Sequence, residues 1–110
     1  MKVLVVGAGS VGQVFGRHYQ AGGAEVTFFV REKYKAEVER GFDMYPLNRR
    51  RARRGEAVRF EGFDVVTRAD EVAARGFDQV MITVASPALR GPWLAELVAA
   101  AGDATIVALQ

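Results

Sequence analysis

Three glycines at fixed spacing, Gly7, Gly9 and Gly12, separate an apolar run, Lys2 to Val6, from a segment of helical character. Strand, glycine turn and helix, in that order, make the arrangement that binds the diphosphate of a dinucleotide. The first glycine turns the chain tightly off the strand, the second admits the backbone to the pyrophosphate, and the third lets the helix lie close on the sheet. The N–H groups of the first helical turn, with the helix dipole behind them, then face the phosphate charge. Gly7, Ala8, Gly9, Ser10, Val11 and Gly12 are therefore the candidate phosphate cradle.

A second group with usable chemistry stands about twenty residues on. In NAD-binding folds an acidic residue usually ends the second strand and accepts hydrogen bonds from the ribose hydroxyls. Here Val26-Thr-Phe-Phe-Val30 runs into Arg31. A carboxylate would repel a 2′-phosphate, whereas a guanidinium grips one with two parallel charge-assisted bonds. Arg31 thus points to NADP(H) as the cofactor. Lys33 and Lys35 add positive field and Glu32 opposes it. The alternative for Arg31 is a solvated residue opening a helix.

The remaining polar residues read more plainly. His18 is the one histidine and sits mid-helix with no second ligand a turn away, so it reads as a solvated side chain and no metal site is expected. Asp70 and Glu71 suit the start of a helix, where the dipole favours them. Ser86, before Pro87, caps a helix or touches the cofactor, and both roles stay open. Trp93, Leu94 and Leu97 have the spacing of a helix's core face. No serine, histidine and acid arrangement suggests a hydrolase.

Strands are expected at Lys2–Val6, Glu25–Val30, Phe42–Pro46, Phe63–Thr67, Gln79–Val84 and Thr105–Leu109. The first, fifth and last are continuously apolar, which marks strands covered on both faces. After the glycine turn, Val11, Phe15, Gly16 and Tyr19 recur at helical spacing until Gly22-Gly23, and Gly12 and Gly16, one turn apart, permit close packing on the sheet. Helices are also expected over Arg31–Arg40, over Ala69–Arg75, and from Pro92 to Gly102. Alternating strands and helices imply an α/β, Rossmann-like, doubly wound and mainly parallel sheet. The stretch from Phe42 to Thr67 breaks the alternation and reads as a hairpin or antiparallel excursion tipped by Arg49–Arg54.

The chain has 110 residues, half hydrophobic and a quarter charged, the balance of one globular domain with its own core. No apolar run approaches the roughly 20 residues of a membrane span. Cysteine is absent, which excludes disulfides, thiolate metal sites and cysteine nucleophiles and fits a cytoplasmic protein. The net charge of +2 conceals five positive charges in Arg49–Arg54, without which the rest of the chain carries −3. One basic segment is not the footprint of a nucleic-acid binder, so no nucleic-acid partner is expected and a solvated hairpin tip is the simpler reading.

GAGSVG with Phe15-Gly16, then VTFFVRE, DQVMITV and a capped helix leading to GDATIVALQ together resemble the N-terminal NADP-binding domain of the ketopantoate reductases (2-dehydropantoate 2-reductases) over nearly the whole chain. The resemblance implies that Gly7, Gly9, Ser10, Val11 and Gly12 serve the pyrophosphate and Arg31 the 2′-phosphate. It puts the strand end at Val84, Ala85 and Ser86 on the nicotinamide side. It also implies reduction of a small 2-keto acid, with the catalytic lysine and glutamate on a helical C-terminal domain. These 110 residues are thus expected to form the dinucleotide-binding domain alone, with no catalytic residue, and to work with that domain or as a homo-oligomer. The chain departs from the family at Ala85, where members commonly carry lysine, and this admits a reductase of another 2-keto or 2-hydroxy acid. The other classes are a non-catalytic NAD(P)-sensing module, which would more often carry the acidic residue that Arg31 replaces, and a nucleic-acid binder, which would show a second basic patch.

Overall fold

The computed structural model describes residues 1–44, 58–84 and 91–109. Five strands form a parallel sheet: β1 (Lys2–Val6), β2 (Glu25–Phe29), β5 (Asp64–Val66), β6 (Gln79–Ile82) and β7 (Thr105–Ala108). Their order is β5-β2-β1-β6-β7, with β3 (Phe42–Met44) and β4 (Val58–Phe60) as a separate antiparallel pair. The chain moves outward from β1 through β2 to β5, then crosses back to β6 on the other side of β1. That reversal creates a crevice beyond the carboxyl ends of β1 and β6. Among the described residues four helices cover the sheet: α1 (Ser10–Ala21), α2 (Lys35–Glu39), α3 (Ala69–Arg75) and α4 (Trp93–Ala101), with a 3-10 turn at Glu32–Tyr34 ahead of α2.

Alternation along β1 builds two cores. Val3 and Val5 pack on one face with Val26, Phe28, Val38, Phe60 and Val65, while Leu4 and Val6 pack on the other with Val66, Val72, Val80, Ile82 and Leu97. A central parallel strand must be apolar on both faces because helices cover both, and β1 and β6 obey that rule. The last strand, read as covered in the same way, does not. Thr105, Ile106 and Ala108 of β7 are exposed, because β7 is an edge strand with no described element beyond it.

The middle segment needs a second correction. Phe63–Thr67, read as part of the excursion, supplies β5, which pairs in parallel with β2 through Phe28↔Val65 and Phe29↔Val66. The antiparallel partner of β3 is Val58–Phe60, paired Phe42↔Phe60. Apolar residues on either side of Gly62 serve different sheets, a split that hydrophobicity alone does not show. The predicted tip, Arg49–Arg54, lies outside the described residues, as does the end of the predicted strand at Tyr45-Pro46.

Helix α1 forms where its spacing predicts, but Val11 and Phe15 are exposed and the buried positions are Gly12 and Gly16. The reason lies beneath the helix. Phe28 is fully buried, and its ring stands edge-on to Phe42, Phe60 and Phe63 with centroids 5.9, 5.9 and 4.9 Å away. A methyl group at Gly16 would stand 2.9 Å from Phe28 Cζ and 3.2 Å from Phe60, so the aromatic cluster occupies the space of a side chain. The hairpin contributes Phe42 and Phe60 to this cluster and is fastened outside it by Arg59, which donates to Asp43, Glu61 and the Arg40 carbonyl.

Gly16→Ala is expected to cost about 1–3 kcal/mol by overpacking, and Phe28→Ala about 3–5 kcal/mol through the cavity it leaves. Urea unfolding of both variants checks this; a Gly16→Ala protein as stable as the parent would show that the rings yield freely.

Candidate functional site

The crevice is built where three strand ends meet. Gly7, directly after β1, adopts φ +98°, a conformation that suits glycine, and its N–H donates to the Phe29 carbonyl at the end of β2 over 3.0 Å. From the other side Thr83, directly after β6, donates its N–H and its hydroxyl to the Val6 carbonyl, at 3.0 and 2.8 Å. A side chain at Gly7 would meet Val84 Cγ1 at 2.6 Å and Thr83 Oγ1 at 3.1 Å. The turn is therefore clasped between β2 and β6. Gln13 completes the clasp, its side-chain amide donating to the Ala8 carbonyl over 2.9 Å.

Gly12 and Gly9 differ sharply. A Cβ on Gly12 would overlap the Gly7 carbonyl oxygen and lie 3.0 Å from Thr83 Oγ1, so glycine is required there by the protein's own packing. A Cβ on Gly9 would have no heavy atom within 4 Å among the described residues. Gly9 is the N-cap of α1, with extended backbone at φ −76° and ψ −169°, and no side chain among the described residues caps the helix. Ser10 and Val11 are exposed beside it. An exposed, uncapped helix start with open space over its cap residue can accept an anion on its backbone N–H groups.

Arg31 stands at the same edge. It follows β2 by two residues, is exposed and extended (φ −69°, ψ 147°), and its carbonyl accepts from the Tyr34 N–H at 2.9 Å, while its guanidinium makes no hydrogen bond or ion pair among the described residues. Glu32 is exposed next to it, and the Lys33 ammonium lies 5.0 Å from the centre of the Tyr34 ring. On the neighbouring strand end, Arg68 holds the Asp70 carboxyl below its usual range through two hydrogen bonds of 3.1 Å. Glu71 accepts from the Thr67 N–H at 3.2 Å, so Glu71 serves the start of α3 while Asp70 is engaged by Arg68.

Of the predicted site residues, Gly7 to Gly12 form one turn, Arg31 stands at the adjacent strand end, and Val84 lies against the turn. Ala85 and Ser86, together with Pro87, lie outside the described residues. Thr83 and Gln13 were not singled out by the sequence. The signal for Thr83 was available, since it is the lone hydroxyl in the apolar run from Val80 to Val84. His18 is exposed and lines a cavity of about 440 Å³ with Met1, Phe15, Tyr19 and Gly23 at the amino-terminal edge of the sheet, the end opposite the glycine turn. No helix among the described residues is long and apolar enough to cross a membrane.

The family model described as ketopantoate reductase PanE/ApbA matches residues 3–110. The chain belongs to the ketopantoate reductase family. That family is one of NADP-dependent oxidoreductases, and the doubly wound sheet is its nucleotide-binding fold. A solved structure of 2-dehydropantoate 2-reductase from Methylococcus capsulatus superposes with a TM-score of 0.70 at 23% identity, over 98% of this chain and 33% of that one. The chain thus spans about a third of the length of that family relative. No curated protein sequence gives a significant match.

Substitution separates the two glycines without any ligand. Gly12→Ala is expected to destabilise by about 3 kcal/mol or more, because the clash is with backbone, while Gly9→Ala stays within about 1 kcal/mol of the parent. Thermal melting followed by circular dichroism reads both, and equal losses would contradict the geometry.

Proposed function

We propose that residues 1–110 are the NADP(H)-binding domain of a reductase that passes hydride to a small 2-keto acid when joined to a helical C-terminal domain. The observation that carries the reading is the pairing, on the same sheet edge, of a helix start at Gly9 that no described side chain caps or crowds with an Arg31 guanidinium that no described residue engages. In this reading Gly7, Ala8, Gly9, Ser10, Val11 and Gly12 receive the pyrophosphate. Arg31 holds the 2′-phosphate by charge-assisted bonds that a nucleotide lacking that phosphate cannot form. Val84, Ala85 and Ser86 border the nicotinamide, which when bound supplies the hydride.

In this reading the residues of the chain bind and orient, and none of the described residues is assigned to supply the proton that a ketone oxygen takes up on reduction. The β6 end offers Thr83, whose hydroxyl is committed to Val6, and the apolar Val84. On the strength of family membership, acid catalysis and substrate positioning are assigned to the C-terminal domain of the reductase, and the substrate is a 2-keto acid. A cytoplasmic location accords with a chain that lacks cysteine.

Arg31→Ala is expected to weaken NADPH about 10- to 100-fold and to leave NADH nearly unchanged, since charge-assisted bonds contribute about 1.5–3 kcal/mol each. Gly9→Val should abolish binding of both nucleotides in a folded protein. Calorimetric titration tests the pair, and equal losses of NADPH and NADH in Arg31→Ala would sink the assignment of the 2′-phosphate.

The 110 residues by themselves are expected to bind NADPH without oxidising it. General acid catalysis alone typically contributes 10²–10⁴-fold and orientation contributes more, so turnover with ketopantoate or other 2-keto acids should fall below detection at 340 nm. Robust oxidation would show that the catalytic groups lie within this chain.

A further inference from the structure

Arg31 has a neighbour of the same charge. β5 pairs in parallel with β2, matching Phe29 to Val66, and the Val30 N–H donates to the Val66 carbonyl over 3.1 Å. Two residues past that match stand Arg31, just after β2, and Arg68, just after β5, both in extended backbone and each opening a helical turn. Adjacent strands run about 4.8 Å apart, so the two arginines leave the carboxyl edge of the sheet side by side.

We propose that Arg68 is a second anion-binding side chain for the adenosine end of the nucleotide, sharing the 2′-phosphate with Arg31. This rests on the NADP reading given above. A phosphate monoester carries about −1.5 to −2 charge near neutrality, more than one guanidinium offsets. Arg68 is largely exposed and uses Nε and Nη2 on Asp70, which leaves Nη1 without a partner among the described residues. Asp70 thus occupies two of the guanidinium nitrogens while Nη1 stays open to an anion among the described residues. The opposing charges are Glu32, whose field reaches Arg68, together with Asp70 and Glu71. Glu71 is engaged by the Thr67 N–H. An exposed pair such as Arg68 with Asp70 is held weakly, and a phosphate of higher charge competes well for the same guanidinium.

The test titrates the 110-residue chain and its variants with 2′-phospho-ADP-ribose and ADP-ribose. Arg68→Ala is expected to weaken the phosphorylated ligand about tenfold and leave ADP-ribose unchanged. Asp70→Asn, which removes the competing carboxylate, is expected to tighten the phosphorylated ligand a few-fold. Circular dichroism melting shows whether each variant remains folded. Unchanged binding in Arg68→Ala alongside a loss in Arg31→Ala would overturn the proposal and leave the NADP reading standing. An Arg31→Ala protein that keeps its discrimination would instead overturn the NADP reading. Equal weakening of both ligands by Arg68→Ala would show that Arg68 acts elsewhere than on the phosphate.

Discussion

The architecture of the crevice depends on the near-contact between the Gly7 carbonyl and the backbone of Gly12. The first turn of α1 can sit over the end of β1 because no side chain intervenes at either position. Thr83 fixes the same point from β6, and the Phe29 carbonyl fixes it from β2. Three strands therefore share one small assembly of backbone groups. A shift of the helix by the width of a methyl group would disturb all three.

A second close approach, one turn along, gives the helix its direction. Gly16 rests on the Phe28 and Phe60 rings, so α1 is held at its start by carbonyl geometry and farther along by aromatic packing. The hairpin that departs from the alternating pattern supplies half of that packing through Phe42 and Phe60. Its described part belongs to the structural floor of the nucleotide-binding end. This also explains why apolar α1 residues such as Val11 and Phe15 face outward: the inward face is filled before any side chain of α1 reaches it.

Much of this was legible in the sequence because local rules and tertiary demands agree there. β1, α3 and α4 follow directly from apolar runs, glycine stops and a proline start, and the GxGxxG spacing marks the turn. Three features were not legible for physical reasons. The spacing of Gly12 and Gly16 marked the face of α1 that approaches the sheet, but the exposure of Val11 and Phe15 was not readable, because the rings that fill the space under the helix come from distant segments. Val58–Phe60 and Asp64–Val66 are alike as short runs containing apolar residues, and only pairing partners assign them to different sheets. A continuously apolar strand such as Thr105–Leu109 reads the same at an edge as at the centre. At the site, sequence spacing brought the turn and Arg31 to one edge, whereas the clasp made by Thr83 and Gln13 is a matter of three-dimensional geometry.

The contrast between Gly9 and Gly12 also bears on how such a chain changes over evolutionary time. Gly12 is held by the cost to folding, since a side chain there meets the backbone of Gly7. Gly9 has no such protection, since among the described residues nothing of the protein's own would object to a side chain there. A lineage that stopped using a nucleotide would let position 9 drift while its turn and sheet stayed intact. Position 9 is thus a molecular record of use, and position 12 a record of shape.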